Sequence, residues 1–215
     1  MQELKGADMT VTGIEEINNK KCRIYIDGYF KLVLYKGEIR KLNLKHNSEI
    51  DEEVYYYIIK DILVKRARLR ALHILEKREY TKKQLTDKLK QNEYPDIVIE
   101  DAIDYVESYN YINDERYAMQ YLRCGCKKKS IRQLQLELCR KGIDKDTVQN
   151  AYEKIKYEID VDYEKDRLIS KLIDKRFRNL ASVTDKDIQK TYRYLMSKGF
   201  NFDDISRYMK QLNID

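Results

Sequence analysis

The chain holds 215 residues with a net charge of +6, 37% charged and 42% hydrophobic side chains, and a single proline. Long irregular loops are excluded by that composition, and a mean hydropathy of -0.75 carried by periodic sequence indicates solvated helical faces rather than disorder. No apolar run approaches the roughly 20 residues that span a bilayer and no signal-peptide pattern follows Met1, so a cytoplasmic protein without membrane contact is expected. Its cysteines, Cys22, Cys124, Cys126 and Cys139, fit reduced thiols.

The first 50 residues alternate apolar and polar side chains in "RIYIDGYFKLVLY". Ile24 and Ile26 precede Asp27-Gly28, and Leu32 and Leu34 follow, which predicts a hairpin closed by a type I′ turn. From about Asp51 the pattern becomes helical, with an acidic first turn in "SEIDEEVYYYIIKDIL" that suits the positive end of a helix dipole.

An internal repeat dominates the remainder. Shifting the chain by 49 residues lays "TKKQLTDKLK" over "SIRQLQLELC", so that Thr81 falls on Ser130, Leu85 on Leu134, Leu89 on Leu138, Ile99 on Val148, Ala102 on Ala151 and Val106 on Ile155. Thr81 and Ser130 each stand three residues before a glutamine, the capping-box spacing, and the leucines form a buried stripe. Upstream, Ala71 and Leu75 correspond to Ala118 and Leu122, which adds a preceding helix and makes three helices per unit. A fainter third copy relates "LCRKGIDKDTV" to "LMSKGFNFDDI"; Gly142 falls on Gly199, each suited to the left-handed residue that ends a helix. "YNYINDERYA" is then a joint between units: Asn113 or Asp114 caps the next helix, and Tyr117, Ala118, Tyr121 and Leu122 start its buried face. A catalytic reading of Asp114, Glu115 and Arg116 lacks a nearby nucleophile, histidine or glycine-rich loop.

The segments "ALHILEKREYTKKQLTDKL", "NYINDERYAMQYL", "LCRKGIDKDTV" and "LMSKGFNFDDI", in this order and spacing, resemble the bacterial RecX family from about Ala67 to Leu212. Asn110 departs from the glycine usual in that family, Asn113 from its frequent aspartate, and "CGCKKKSIRQL" offers Lys128 and Lys129 in place of a glycine. The resemblance implies a mainly α protein: three tandem three-helix, helix-turn-helix-like repeats in an elongated curved arrangement, preceded by a small extension containing a β-hairpin. The expected divisions are 1–64 for the extension, 65–112 and 113–160 for the first two repeats, and 161–215 for the third. It also implies a non-enzymatic regulator that binds the RecA filament on single-stranded DNA and restrains its ATP hydrolysis and strand exchange, in DNA repair and the SOS response. A monomer is expected, in contact with RecA, single-stranded DNA and in some settings double-stranded DNA.

Charge is banded along the chain. Lys60 to Lys83 holds nine basic and three acidic residues, Arg123 to Lys141 seven basic and one acidic, and Glu93 to Glu115 eight acids with no lysine or arginine. A single charged band is commonly a solvated helix face, whereas two basic bands at equivalent places in successive repeats favour an extended anionic track. The candidate contacts are Arg66, Arg68, Arg70, Lys77 and Arg78 in the first band, and Lys127, Lys128, Lys129, Arg132, Arg140 and Lys141 in the second. They would meet DNA phosphates or acidic patches of RecA; the acidic band would face basic protein loops or mimic DNA. Among the 19 tyrosines, burial is the commoner use and base stacking the rarer one. No metal or other cofactor is expected, because Cys124, Cys126 and Cys139 lack a second ligand pair and His46 and His73 lie far off. The alternative function is a sequence-specific helix-turn-helix regulator, although no helix displays a cluster of Arg, Asn and Gln suited to base edges.

Overall fold

The computed structural model describes residues 9–178 and 183–211, excluding the side chains of Phe30, Lys31 and Gln211; Met1 and Leu212 lie outside the described residues. The chain divides at Ile112/Asn113 into two compact units.

In the first unit, β1 (Met9–Glu16), β2 (Lys21–Ile26), β3 (Phe30–Tyr35) and β4 (Glu49–Ile50) form an antiparallel sheet in the order β3-β2-β1-β4. The expected hairpin is its β2–β3 portion, and Asp27 (φ 50°) and Gly28 (φ 72°) adopt the two left-handed conformations of the turn. Ile24 pairs with Leu32 and Cys22 with Leu34, all buried, so the alternation places one apolar face inward. The sequence carries no clear signal for β1 and β4. β1 has a bulge between Val11 and Gly13 that breaks its alternation, and β4 is only two residues long. A short helix, α1 (Lys36–Lys41), connects β3 towards β4.

Asp51 caps the following helix by accepting from the Val54 N–H at 2.7 Å. That helix runs as α2 (Glu52–Tyr56), a π-helical stretch Tyr57–Val64, and α3 (Lys65–Leu75). Its buried residues in the π-helical stretch are Ile58, Ile59, Leu63 and Val64, two pairs spaced by five. A spacing of five matches the i→i+5 hydrogen bonding of a π-helix, which keeps both pairs on the core side. The first repeat continues with α4 (Lys82–Gln91) and α5 (Asp96–Ser108). Sheet, long helix and repeat share one core, in which Ile24, Leu32, Ile58, Ala67, Leu85 and Ile99 are all enclosed.

The second unit contains two repeats: α6 (Asp114–Gly125), α7 (Ile131–Arg140) and α8 (Lys145–Ile155), then α9 (Val161–Phe177), α10 (Asp185–Ser197) and α11 (Phe202–Gln211). Each has its own cluster, one around Leu122, Leu134 and Ala151 and the other around Ile169, Leu195 and Ile205. The residues matched by the 49-residue shift are buried in both copies: Leu85 and Leu134, Leu89 and Leu138, Ala102 and Ala151, Val106 and Ile155.

The third copy is fainter for a visible reason. Thr191 stands where the second has Leu134, fully buried, with its hydroxyl donating to the Asp187 carbonyl at 2.8 Å and accepting from Arg176 Nε at 3.1 Å. Gly142 (φ 92°) and Gly199 (φ 89°) both end helices in the left-handed conformation. The N–H groups of Ile143 and Phe200 return to the carbonyls of Leu138 and Leu195, which is the expected fold-back. The Asn110 departure follows the same rule, since asparagine tolerates its φ of 56° after α5.

Candidate functional site

The expected capping box at Thr81 is present, with Gln84 N–H to the hydroxyl and the Thr81 N–H to the Gln84 amide. Ser130 behaves differently: it caps Gln133 N–H at 3.2 Å, but its own hydroxyl donates to the Lys198 carbonyl at 2.5 Å, and the Gln133 amide turns to Glu137. Asn113 is the cap of α6, accepting from Arg116 N–H. These caps fix the turns from which the candidate cations project.

The eleven cations expected to meet a partner fall into two groups. Arg66 is committed inward: it pairs with Glu38, donates to the Val33 carbonyl at 3.2 Å and lies 4.4 Å from the Tyr35 ring centroid. Arg68 makes a two-point contact with Asp101 at 2.6 and 3.0 Å and stacks on Tyr105, and the hydrogen bond to Asp101 raises its pKa above the usual guanidinium value. Lys129 donates to both oxygens of Glu137 at 2.7 Å. Lys141 lies against the stacked rings of Tyr117 and Tyr121. Arg70, Lys77, Arg78, Lys127, Lys128, Arg132 and Arg140 are exposed and form no ion pair among the described residues.

These exposed cations occupy repeated positions. Arg78 lies in the turn between α3 and the capped start of α4, and Lys127 lies in the matching turn between α6 and α7, 49 residues on. Around the first turn, Arg70, Lys77 and Lys88 line a concavity of about 250 Å³ with His73, Ile74, Tyr80, Gln91 and Asn92. Tyr80 is held between Arg78 and Lys88, at 4.5 and 5.3 Å from its ring centroid. Its phenol is pushed below the usual range, mainly by the hydrogen bond with Arg78 and also by the two positive charges. Lys88, Gln91 and Asn92 are not legible as part of this site in the sequence, because α4 carries them outside the basic bands. The packing of α4 against α3 brings them beside Arg70, His73, Ile74 and Lys77.

The acidic band is largely neutralised within its own units. Glu93 pairs with Arg23, Asp96 with Lys90, Asp101 with Arg68, Glu107 with Lys82 and Glu115 with Lys154. Glu100 and Asp104 of the same band are exposed. Tyr55 is partly buried against the core while Tyr56 and Tyr57 are exposed, as their successive helical directions required. All four cysteines are free, and no helix among the described residues is long and apolar enough to cross a membrane.

Comparison with known proteins places these features. Residues 67–105, 113–151 and 162–209 match the first, second and third three-helix domains of RecX. Regulatory protein RecX of Clostridioides difficile is 32% identical over 214 residues, covering 95% of this chain and 97% of that protein. The protein of the same name from Clostridium beijerinckii is 30% identical over 209 residues, covering 96% of each. The crystal structure of RecX from Lactobacillus salivarius matches with a TM-score of 0.62 at 24% identity, over 71% of this chain and 98% of that one. A second crystal structure of regulatory protein RecX gives 0.63 at 22%, over 92% and 97%; both likenesses concern the fold. With three matched domains in order and relatives alike over nearly their whole length, the chain belongs to the RecX family.

Proposed function

We propose that this protein is a non-enzymatic regulator that binds the RecA filament on single-stranded DNA and restrains its ATPase and strand-exchange activities, acting as a monomer. Family membership and the name shared by its relatives support the regulatory role. The observation that carries the contact is the repeated placement of exposed cations outside any ion pair among the described residues in the turn before the second helix of the repeat, Arg78 in the first copy and Lys127 and Lys128 in the second. A pocket enzyme gathers its charges at one point, whereas a polymer with regularly spaced anions is met by charges that recur with the repeat.

Within this reading the partner-facing cations are Arg70, Lys77, Arg78, Lys127, Lys128, Arg132 and Arg140, while Arg66, Arg68 and Lys129 hold the fold. RecA ATPase measured on single-stranded DNA with substoichiometric protein tests the assignment. Inhibition well below one protein per RecA subunit supports it, and an unchanged rate at excess protein defeats it. A strong preference for one duplex site in a gel-shift competition would favour a sequence-specific DNA regulator instead.

A further inference from the structure

We propose that the concavity between the C-terminal ends of α3 and α4 is a seat for a single phosphate group. Cations reach it from both helices, Arg70 and Lys77 from α3 and the turn after it and Lys88 from α4, and no carboxylate is among its lining residues. The competing explanation is that these cations only balance the two helix C-termini, which carry about -0.5 charge each. Three cations against about -1 from the helix ends and the Glu76 carboxylate beside His73 leave a surplus of roughly +1, and Arg78 beside Tyr80 adds to it. The Tyr80 phenol is lowered chiefly by its hydrogen bond with Arg78, and the charges of Arg78 and Lys88 act in the same direction.

The lining also includes two side-chain amides, an uncharged donor type suited to an oxyanion. Gln91 is one of the lining residues, and His73 lies at the rim with Nδ1 at 3.2 Å from the Glu76 carboxylate. Asn92 is positioned by donating to the Lys88 carbonyl at 2.9 Å, and Lys88 is half-buried against the Tyr80 ring. The seat is therefore partly preorganised, which lowers the ordering cost of binding. A volume of about 250 Å³ lies below the range typical of sites for drug-sized ligands and suits a small anion such as a phosphate group. Two sources share that chemistry: a terminal phosphate monoester and a backbone phosphodiester. The inference stands on this lining and does not require the RecA assignment.

The test is an NMR titration of the whole protein with inorganic phosphate, against chloride at matched ionic strength. Saturable shifts centred on Arg70, His73, Lys88 and Asn92 are expected, and the double variant Arg70→Gln/Lys77→Gln should weaken them by about tenfold. Both substituted residues are exposed and unpaired, so the unfolding midpoint should not change; Lys88→Gln provides an independent second variant. Oligothymidylate with a 5′-phosphate or a 5′-hydroxyl separates the sources: tighter binding of the phosphorylated strand assigns the monoester, and equal binding the diester. Non-saturating shifts, an equal response to chloride, or variants that bind phosphate as the parent does would overturn the seat. RecA inhibition persisting in those circumstances would leave the regulatory reading intact.

Discussion

Glu93 has a left-handed backbone (φ 61°) and accepts from Arg23 Nε at 2.9 Å and Nη2 at 2.8 Å, joining the end of α4 to the middle of β2. In the 49-residue register Glu93 is the counterpart of Gly142. The first repeat thus uses a side chain with a partner on the sheet where the second uses glycine. Replacing Glu93 by alanine removes the ion pair and keeps the backbone cost; glycine removes both. Glu93→Ala should therefore be less stable than Glu93→Gly by about 1 kcal/mol in urea unfolding, from the backbone difference alone.

Gly199 presents a different constraint, because a Cβ there would lie 2.7 Å from Ser130 Oγ in addition to meeting the left-handed penalty at φ 89°. Gly199→Ala should cost about 1–2 kcal/mol from the backbone, with a further penalty from displacing the Ser130–Lys198 hydrogen bond. Added to Ser130→Ala, it should cost less than the two separate penalties combined, as expected when both changes break one hydrogen bond. Strict additivity in chemical denaturation would show that this bond is energetically idle.

Arg66 and Arg70 are four residues apart and differ in kind. Arg66→Ala removes the interactions with Glu38, Val33 and Tyr35 and should destabilise the protein by about 1–3 kcal/mol. Arg70→Ala should stay within about 0.5 kcal/mol, as surface changes do. Paired thermal melts of the two variants check the distinction.

Tyr121, Glu137 and Lys129 form a pH-dependent link between α6, α7 and the turn joining them: the Tyr121 hydroxyl donates to Glu137 at 2.5 Å, opposite Lys129. Hydrogen bonding from Lys129, then from Tyr121, holds the Glu137 carboxyl below its usual 4.5, so its contribution is present above that value and disappears as pH falls through the lowered one. Burial and the bond to Glu137 push the Tyr121 phenol up to about 12 from 10.0, so its contribution is complete below 10 and disappears as pH rises towards 12. Glu137→Gln should flatten the stability profile on its acid side, and ultraviolet titration should show one tyrosine, absent in Tyr121→Phe, ionising last.

Lys127 and Lys128 are solvent-facing, whereas Lys129 is tied to Glu137. Lys127→Glu/Lys128→Glu should weaken filament inhibition and reduce the log–log salt slope of binding to single strands by about 0.7 for each phosphate that is no longer neutralised. Lys129→Glu should lower the unfolding midpoint instead. Inhibition and salt dependence unchanged in the first variant would reduce that band to solvated surface.

Local pattern was enough to determine the repeat, its caps and its buried stripe, since Thr81, Leu85, Leu89 and their counterparts act over one or two helical turns. The same holds for the Asp27-Gly28 turn and the glycines after α7 and α10. What local pattern could not decide was partnership across distance. Arg66, Arg68 and Lys129 read as free cations along the chain, and only folding brought them to Glu38, Asp101 and Glu137. β4 has too few residues to show alternation, and the π-helical stretch follows from the core it packs against. Composition and spacing determined that the chain would carry surplus positive charge in bands. Tertiary structure decided which of those charges remain exposed, because an ion pair depends on the separation of two side chains in space rather than along the sequence.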